Sequence, residues 1–215
     1  MKKQIDYSLH VVTDTKLTRE RSLYAVVEAA IRGGATIVQY RAKNTTTRQM
    51  VEEAQALRDL CHAHGIPLIV NDRVDVALAV DADGVHVGQD DMPASLARRL
   101  IGNQKILGVS AENVQEAQAA IADGADYLGV GAVFATSTKP DAGAPIGVEG
   151  LVRVARASTI PIVGIGGINA TNAASVIRAG AAGIAVISAV VSADDVEDAA
   201  RALRRVVEEA RKREM

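Results

Sequence analysis

The sequence predicts a closed (β/α)8, or TIM, barrel, and three observations predict it. Eight short runs rich in Val and Ile recur along the chain, each followed by a longer amphipathic stretch. A glycine-bearing punctuation closes several of those stretches and opens the next run. The chain has 215 residues. Eight units of about 27 residues each are near the minimum for a βαβ unit, and the total is close to the lower size limit of this barrel, about 200 residues.

The strands are expected near Leu9–Thr13, Thr36–Arg41, Pro67–Asn71, Gly84–Val87, Ile106–Ser110, Tyr127–Val130, Ile162–Ile165 and Gly183–Ile187. Between them lie helical patterns. The last is the clearest: Val196, Ala199, Leu203, Val206 and Ala210 share one face, with charges opposite. The punctuation reads Gly33-Gly34-Ala35-Thr36, Asp81-Ala82-Asp83-Gly84, Asp123-Gly124-Ala125-Asp126 and Ala179 to Gly183. Glycine in each copy is expected to supply the left-handed residue that ends a helix. An open doubly wound sheet is the other arrangement of such units. It carries a Gly-rich nucleotide loop after its first strand, whereas this strand ends Thr13-Asp14-Thr15-Lys16. No linker separates the units, because the Pro- and Gly-bearing stretch Lys139–Gly147 falls within the series. Residues 1–215 are therefore expected to form one catalytic domain.

Composition narrows the function. Hydrophobic residues make up 48% and charged residues 23%, enough for a sizeable core. Lys and Arg number 24 against 26 Asp and Glu, without the basic excess of a nucleic-acid surface. With no Trp, one Phe and four Tyr, a stacking groove for single strands is not expected either. No apolar run approaches the roughly 20 residues of a membrane span. Cys61 is the one cysteine and falls on the helical stripe Met50, Ala54, Leu57, Cys61, so it reads as core packing in a reducing, cytoplasmic setting. The expected partners are small molecules, with no nucleic acid and no membrane; association with further copies of the chain is left open.

In this fold, chemistry collects at the carboxyl ends of the strands. The second strand ends in Gln39, Arg41 and Lys43, spaced so that all three face the mouth. Arg and Lys there suit phosphate oxygens, the first as a fork and the second as a point charge. Asn71 and Asp72 end the third strand, and Asp91 follows the fourth. Two carboxylates on neighbouring strand ends can share Mg2+ with substrate phosphates. Asn71 or Asp72 can equally cap the helix that starts near Val74. Ser110 ends the fifth strand. Thr136, Ser137, Thr138 and Lys139 open the long loop after the sixth. The turn Gly164–Gly167 and the strand end Ile187-Ser188 occupy the loops where this fold repeatedly binds phosphate. Of the four histidines, His62 and His64 lie near a helix end, and His10 and His86 read as core or rim residues of strands.

The ordered set Gln39-Tyr40-Arg41-Ala42-Lys43, Asn71-Asp72-Arg73, His86 to Asp91, Leu107 to Ser110, Thr136 to Lys139, Val163 to Ile168 and Ile187-Ser188 resembles the thiamine phosphate synthase family. The resemblance covers the chain from about Leu9 to Asp194. It implies a (β/α)8 transferase. That enzyme joins an aminopyrimidine methyl diphosphate to a thiazole phosphate, giving thiamine phosphate and pyrophosphate. It also implies that Gln39, Tyr40, Arg41, Ala42, Lys43, Asn71, Ser110 and Lys139 hold the pyrimidine diphosphate. Asp72 and Asp91 would ligate Mg2+. Thr136, Ser137, Thr138 and Gly167 would meet the thiazole phosphate, with Ile187 and Ser188 at its phosphate group. Arg41, Lys43, Ser110 and Lys139 would carry catalysis, with Lys139 and the metal dominant. A thiazole tautomerase on the same barrel and a non-catalytic phosphate sensor are the alternatives.

Overall fold

A computed structural model describes residues 5–138 and 143–212. Its strands are β1 (Leu9–Val12), β2 (Ile37–Tyr40), β3 (Leu68–Asn71), β4 (Gly84–Val87), β5 (Ile106–Ala111), β6 (Tyr127–Val130), β7 (Ile162–Ile165) and β8 (Gly183–Val186). Each pairs in parallel with the next, and β8 pairs with β1, so the sheet closes in chain order. The open-sheet alternative is thereby excluded. Between the strands run α1 (Leu23–Arg32), α2 (Thr47–Ala63), α3 (Val74–Ala79), α4 (Ala94–Ile101), α5 (Val114–Ala122), α6 (Gly147–Ala157) and α7 (Ala173–Arg178). After β8 come the one-turn α8 (Ser188–Val191) and the long α9 (Val196–Lys212).

Strand alternation divides the apolar residues into two cores. Outward-facing Val11, Val38, Leu68, Val70, Val85 and Leu107 join the inner faces of the helices in one continuous shell. Inward-facing Val12, Ile37, Ile69, Ile106, Tyr127, Val163 and Ala185 fill the barrel. Strands buried on both faces read as near-continuous apolar runs, which is why they stand out in the sequence.

Local chemistry sets the helix ends. Thr46 and Gln49 cap α2 reciprocally, each side chain bonding to the other's backbone N–H. Gly34, Gly124 and Gly180 adopt positive φ between helix and strand. The copy before β4 departs from expectation. There Asp81 takes the positive φ of 53°, and Gly84 lies within the strand, where a β-carbon would collide with the Ile106 backbone. That glycine provides close strand approach rather than a helix stop. The buried face of α9 also differs: Val196, Ala200, Leu203, Val207 and Ala210 are buried, while Ala199 and Val206 are partly exposed. A small residue is needed at 200 because Gly33 packs directly against Ala200.

Candidate active site

The site is a cavity of about 610 Å3 at the carboxyl-end mouth of the barrel, within the range for small-molecule pockets. Gln39, Arg41, Lys43, Asn71, Asp72, Asp91, Ser110, Thr136, Ser137, Thr138, Gly167, Ile187 and Ser188 all line it. Seven loops and strand ends therefore converge on one space. Tyr40 and Ala42 do not line it. The Tyr40 side chain lies on the outer face of β2, where its hydroxyl donates to Glu53 Oε2 at 2.7 Å, and Ala42 packs against the outer core. Strand alternation separates them from Gln39 and Arg41. Lys139 lies outside the described residues.

The cationic side is held from the first strand. Thr13 Oγ1 accepts from the Arg41 N–H at 2.8 Å and donates to the Arg41 carbonyl at 3.0 Å. Asp14 Oδ2 accepts from Arg41 Nη1 at 2.9 Å. Lys43 Nζ reaches across to Asp72 Oδ2 at 2.8 Å. The sequence pattern leaves Asp14 unmarked; the signal that points to it is its position at the end of a strand, where this fold gathers its polar residues.

Asp72 and Asp91 form the anionic side. Asp72 caps nothing: the residue preceding α3 is Arg73, which makes no side-chain capping bond. Asp72 instead takes a left-handed backbone (φ 63°), pinned by its N–H donating to the His86 carbonyl at 2.8 Å. A non-glycine residue held there at a cavity wall marks a position where side-chain direction outweighs backbone preference. The Gly88 N–H donates to Asp91 Oδ2 at 2.7 Å. Burial raises the Asp91 pKa above the ordinary carboxylate value, and the adjoining Asp72 carboxylate raises it further, against the pull of Gly88. Two hard carboxylates pressed together, with Lys43 bonded to one of them, fit a divalent cation that takes its remaining ligands from phosphate and water. Among the described residues no cluster of three or more His, Cys, Asp or Glu could hold a metal.

On the opposite wall, Gly166 and Gly167 adopt φ of 97° and 64°. A β-carbon at Gly167 would strike the Phe134 and Ala135 backbone, so this turn stays glycine to let the β6 and β7 loops touch. Thr138 Oγ1 lies 3.4 Å from Ser188 Oγ, joining the β6 loop to the start of α8. His86 also faces the cavity. Its Nε2 lies 3.0 Å from Ser110 Oγ and its Nδ1 lies 2.9 Å from the Tyr127 hydroxyl. From the sequence alone His86 is a strand residue with no assigned partner.

A closed parallel barrel with its polar groups gathered at the carboxyl-end mouth defines the class, a (β/α)8-barrel enzyme. The family profile described as thiamine monophosphate synthase matches residues 9–190. The thiamine-phosphate synthase of Chloroflexus aurantiacus is 69% identical over 159 residues, covering 74% of this chain and 73% of that protein. That of Moorella thermoacetica is 56% identical over 158 residues, covering 74% of this chain and 75% of the relative. Among solved structures, thiamine phosphate pyrophosphorylase from Pyrococcus furiosus superimposes with a TM-score of 0.88 at 46% identity, over 95% of this chain and 97% of its own. The chain belongs to the thiamine monophosphate synthase family, and it is a transferase of thiamine biosynthesis.

Proposed function

We propose that this chain condenses 4-amino-2-methyl-5-(diphosphooxymethyl)pyrimidine with 4-methyl-5-(2-phosphooxyethyl)thiazole, giving thiamine phosphate and pyrophosphate. The observation that carries this reading is the convergence of Arg41, Lys43, Asp72, Asp91 and Ser110 on one cavity, facing Gly167 and Ser188 across it. One side suits a diphosphate and the other a single phosphate. In the reaction the methylene C–O bond breaks, and its electron pair leaves with the diphosphate. The thiazole nitrogen lone pair then forms the new C–N bond. The barrier lies in separating a carbocation from a highly charged leaving group, so neutralising that group matters more than a strong base.

Arg41 and Lys43 hold the departing diphosphate, Arg41 as a pre-oriented fork and Lys43 as a mobile point charge. Gln39, Asn71 and Ser110 orient the pyrimidine end. Thr136, Ser137, Thr138, Gly167, Ile187 and Ser188 receive the thiazole phosphate and bring its nitrogen within reach of the forming cation, which supplies the proximity contribution. Asp72 and Asp91 would hold Mg2+, which when bound supplies positive charge to the diphosphate. The family resemblance adds Lys139 to the same cationic set. The residues act as one catalytic domain on small molecules.

Purified protein mixed with both phosphorylated substrates and Mg2+ is expected to release thiamine phosphate and pyrophosphate in equal amounts, and EDTA is expected to stop both. Binding of the thiazole phosphate without coupling would instead assign the chain to tautomerisation or ligand sensing.

A further inference from the structure

Beneath the cavity floor lies a hydrogen-bonded line that the proposed reaction does not itself explain. Tyr127 opens β6 and points into the barrel, where it is 1% exposed. Its hydroxyl lies 2.9 Å from His86 Nδ1 on β4. The other imidazole nitrogen, Nε2, lies 3.0 Å from Ser110 Oγ on β5, at the cavity wall. The Gln39 side chain, from β2, also interacts with the Tyr127 hydroxyl. Four strands thus contribute one residue each to a single line.

The barrel is shaped around this line. In the register of the sheet Gly108 is the neighbour of both His86 and Tyr127, and Gly129 is the neighbour of Ser110. A β-carbon at Gly108 would strike the Tyr127 hydroxyl and His86 Nδ1, and one at Gly129 would press on the imidazole Cε1. Both positions lack a side chain where the phenol and imidazole need the space.

Both bonds admit either direction; in the one that sends the single phenolic proton to His86 Nδ1, the line ends with a donor in the cavity. That nitrogen is then an acceptor, and the ring proton of a neutral imidazole resides on Nε2. Nε2–H donates to Ser110 Oγ, and the Ser110 hydroxyl is left to donate its own proton into the cavity. We propose that Tyr127 is a positioning residue for the transfer reaction: its phenol holds His86 in the Nε2–H form and thereby aims the Ser110 hydroxyl proton at an acceptor atom of the bound pyrimidine diphosphate. Without the phenol, the hydrogen bond that sets the Nδ1 role is lost, and Ser110 can turn its proton back onto the imidazole.

This inference rests on the proposed synthase reaction, and the test separates the two. Wild type, Tyr127→Phe, Ser110→Ala and the double variant are assayed for thiamine phosphate with both substrates and Mg2+. Tyr127→Phe is expected to lower kcat about tenfold, the scale of one hydrogen bond, with KM for the diphosphate within about twofold of wild type. In the Ser110→Ala background the same substitution is expected to cost nothing further. An equal fall in both backgrounds, or no fall in either, would overturn the assignment. Long-range 1H–15N correlation spectra of the wild-type protein read the tautomer directly, whether or not a variant folds and whether or not the wild type couples the substrates. His86 is expected as Nε2–H; the Nδ1–H form, or an averaged mixture, would overturn the proposal. A wild type that makes no thiamine phosphate would overturn the reaction and leave the spectra to decide the tautomer.

Discussion

Arg41 and Asp14 form an ion pair at the barrel mouth, Nη1 to Oδ2 at 2.9 Å, with side chains only 12% and 15% exposed. One comes from the end of β2 and the other from the end of β1. A guanidinium shielded to this degree stays in one orientation because a carboxylate holds it, and the two bonds between Thr13 and the Arg41 backbone fix the base of the side chain. The fork is therefore set before a ligand arrives, and less ordering remains to be done on binding.

Removing Asp14 tests that preorganisation. Asp14→Ala is expected to raise KM for the diphosphate substrate about tenfold, the range of a lost charge-assisted hydrogen bond. It is expected to have no further effect once Arg41 is also replaced by Ala. A tighter KM in Asp14→Ala would mean that the carboxylate competes for Arg41 rather than presenting it. Steady-state kinetics on the two single variants and the double variant decide between these outcomes.

The Asp72–Asp91 pair opposes stability in the absence of a cation and favours it in the presence of one. Burial and the neighbouring charge both disfavour an ionised Asp91. Asp91→Asn removes the repulsion, so in EDTA the variant is expected to melt about 1–2 °C higher than wild type, solvent screening of this partly exposed group holding the gain below roughly 1 kcal/mol. In Mg2+ the order is expected to reverse, because only the wild type gains from cation binding. Thermal melts with and without Mg2+ measure both signs. An equal Mg2+ shift in the two proteins would remove Asp91 from the metal site.

His10 makes the barrel interior sensitive to acid. The ring is fully buried, stacked on Tyr7 and set edge-on to Tyr127. Among the described residues neither of its nitrogens has a hydrogen-bond partner. Burial depresses its pKa to about 3; the nearby His86 adds to this and Asp6 opposes it. Below the ordinary histidine value of about 6.5 the unfolded chain takes up a proton that the folded chain refuses, so stability falls as pH drops from about 6.5 toward 3. Between pH 7.5 and pH 5 this one group is expected to remove about 2 kcal/mol. Urea unfolding of wild type and His10→Leu at the two pH values measures it as the extra loss in the wild type. Equal losses would show that acid reaches His10 in the folded protein.

Much of the architecture is legible in the chain because it is written in short-range patterns. Strands buried on both faces need continuous Val and Ile runs, so all eight could be placed from the sequence to within a residue or two of each end. Arg41, Asp72, Asp91 and Ser110 could be picked out because this fold keeps its polar residues at the carboxyl ends of strands. The helical stripe through Met50, Ala54, Leu57 and Cys61 is buried as its period requires. Where two residues both satisfy a local pattern, the sequence could not choose between them. Ala199 and Ala200 suit the same stripe of α9, and contact with Gly33 selects the second. Asp81 and Gly84 both suit a helix-to-strand turn, and the approach of β5 claims the glycine.

By itself the sequence determined the strand order, the paired acids, the cations beside them and the family to which the chain belongs. Only the tertiary structure decided that Asp72 turns toward Asp91 instead of capping α3, that Asp14 holds Arg41, that Tyr40 faces outward to Glu53, and that Tyr127 reaches Ser110 through His86. The reason is one of range. Periodicity and capping depend on neighbours a few residues apart, whereas these four relationships join residues on different elements. They are settled by the register in which the closed sheet pairs its strands and by how the helices pack around it.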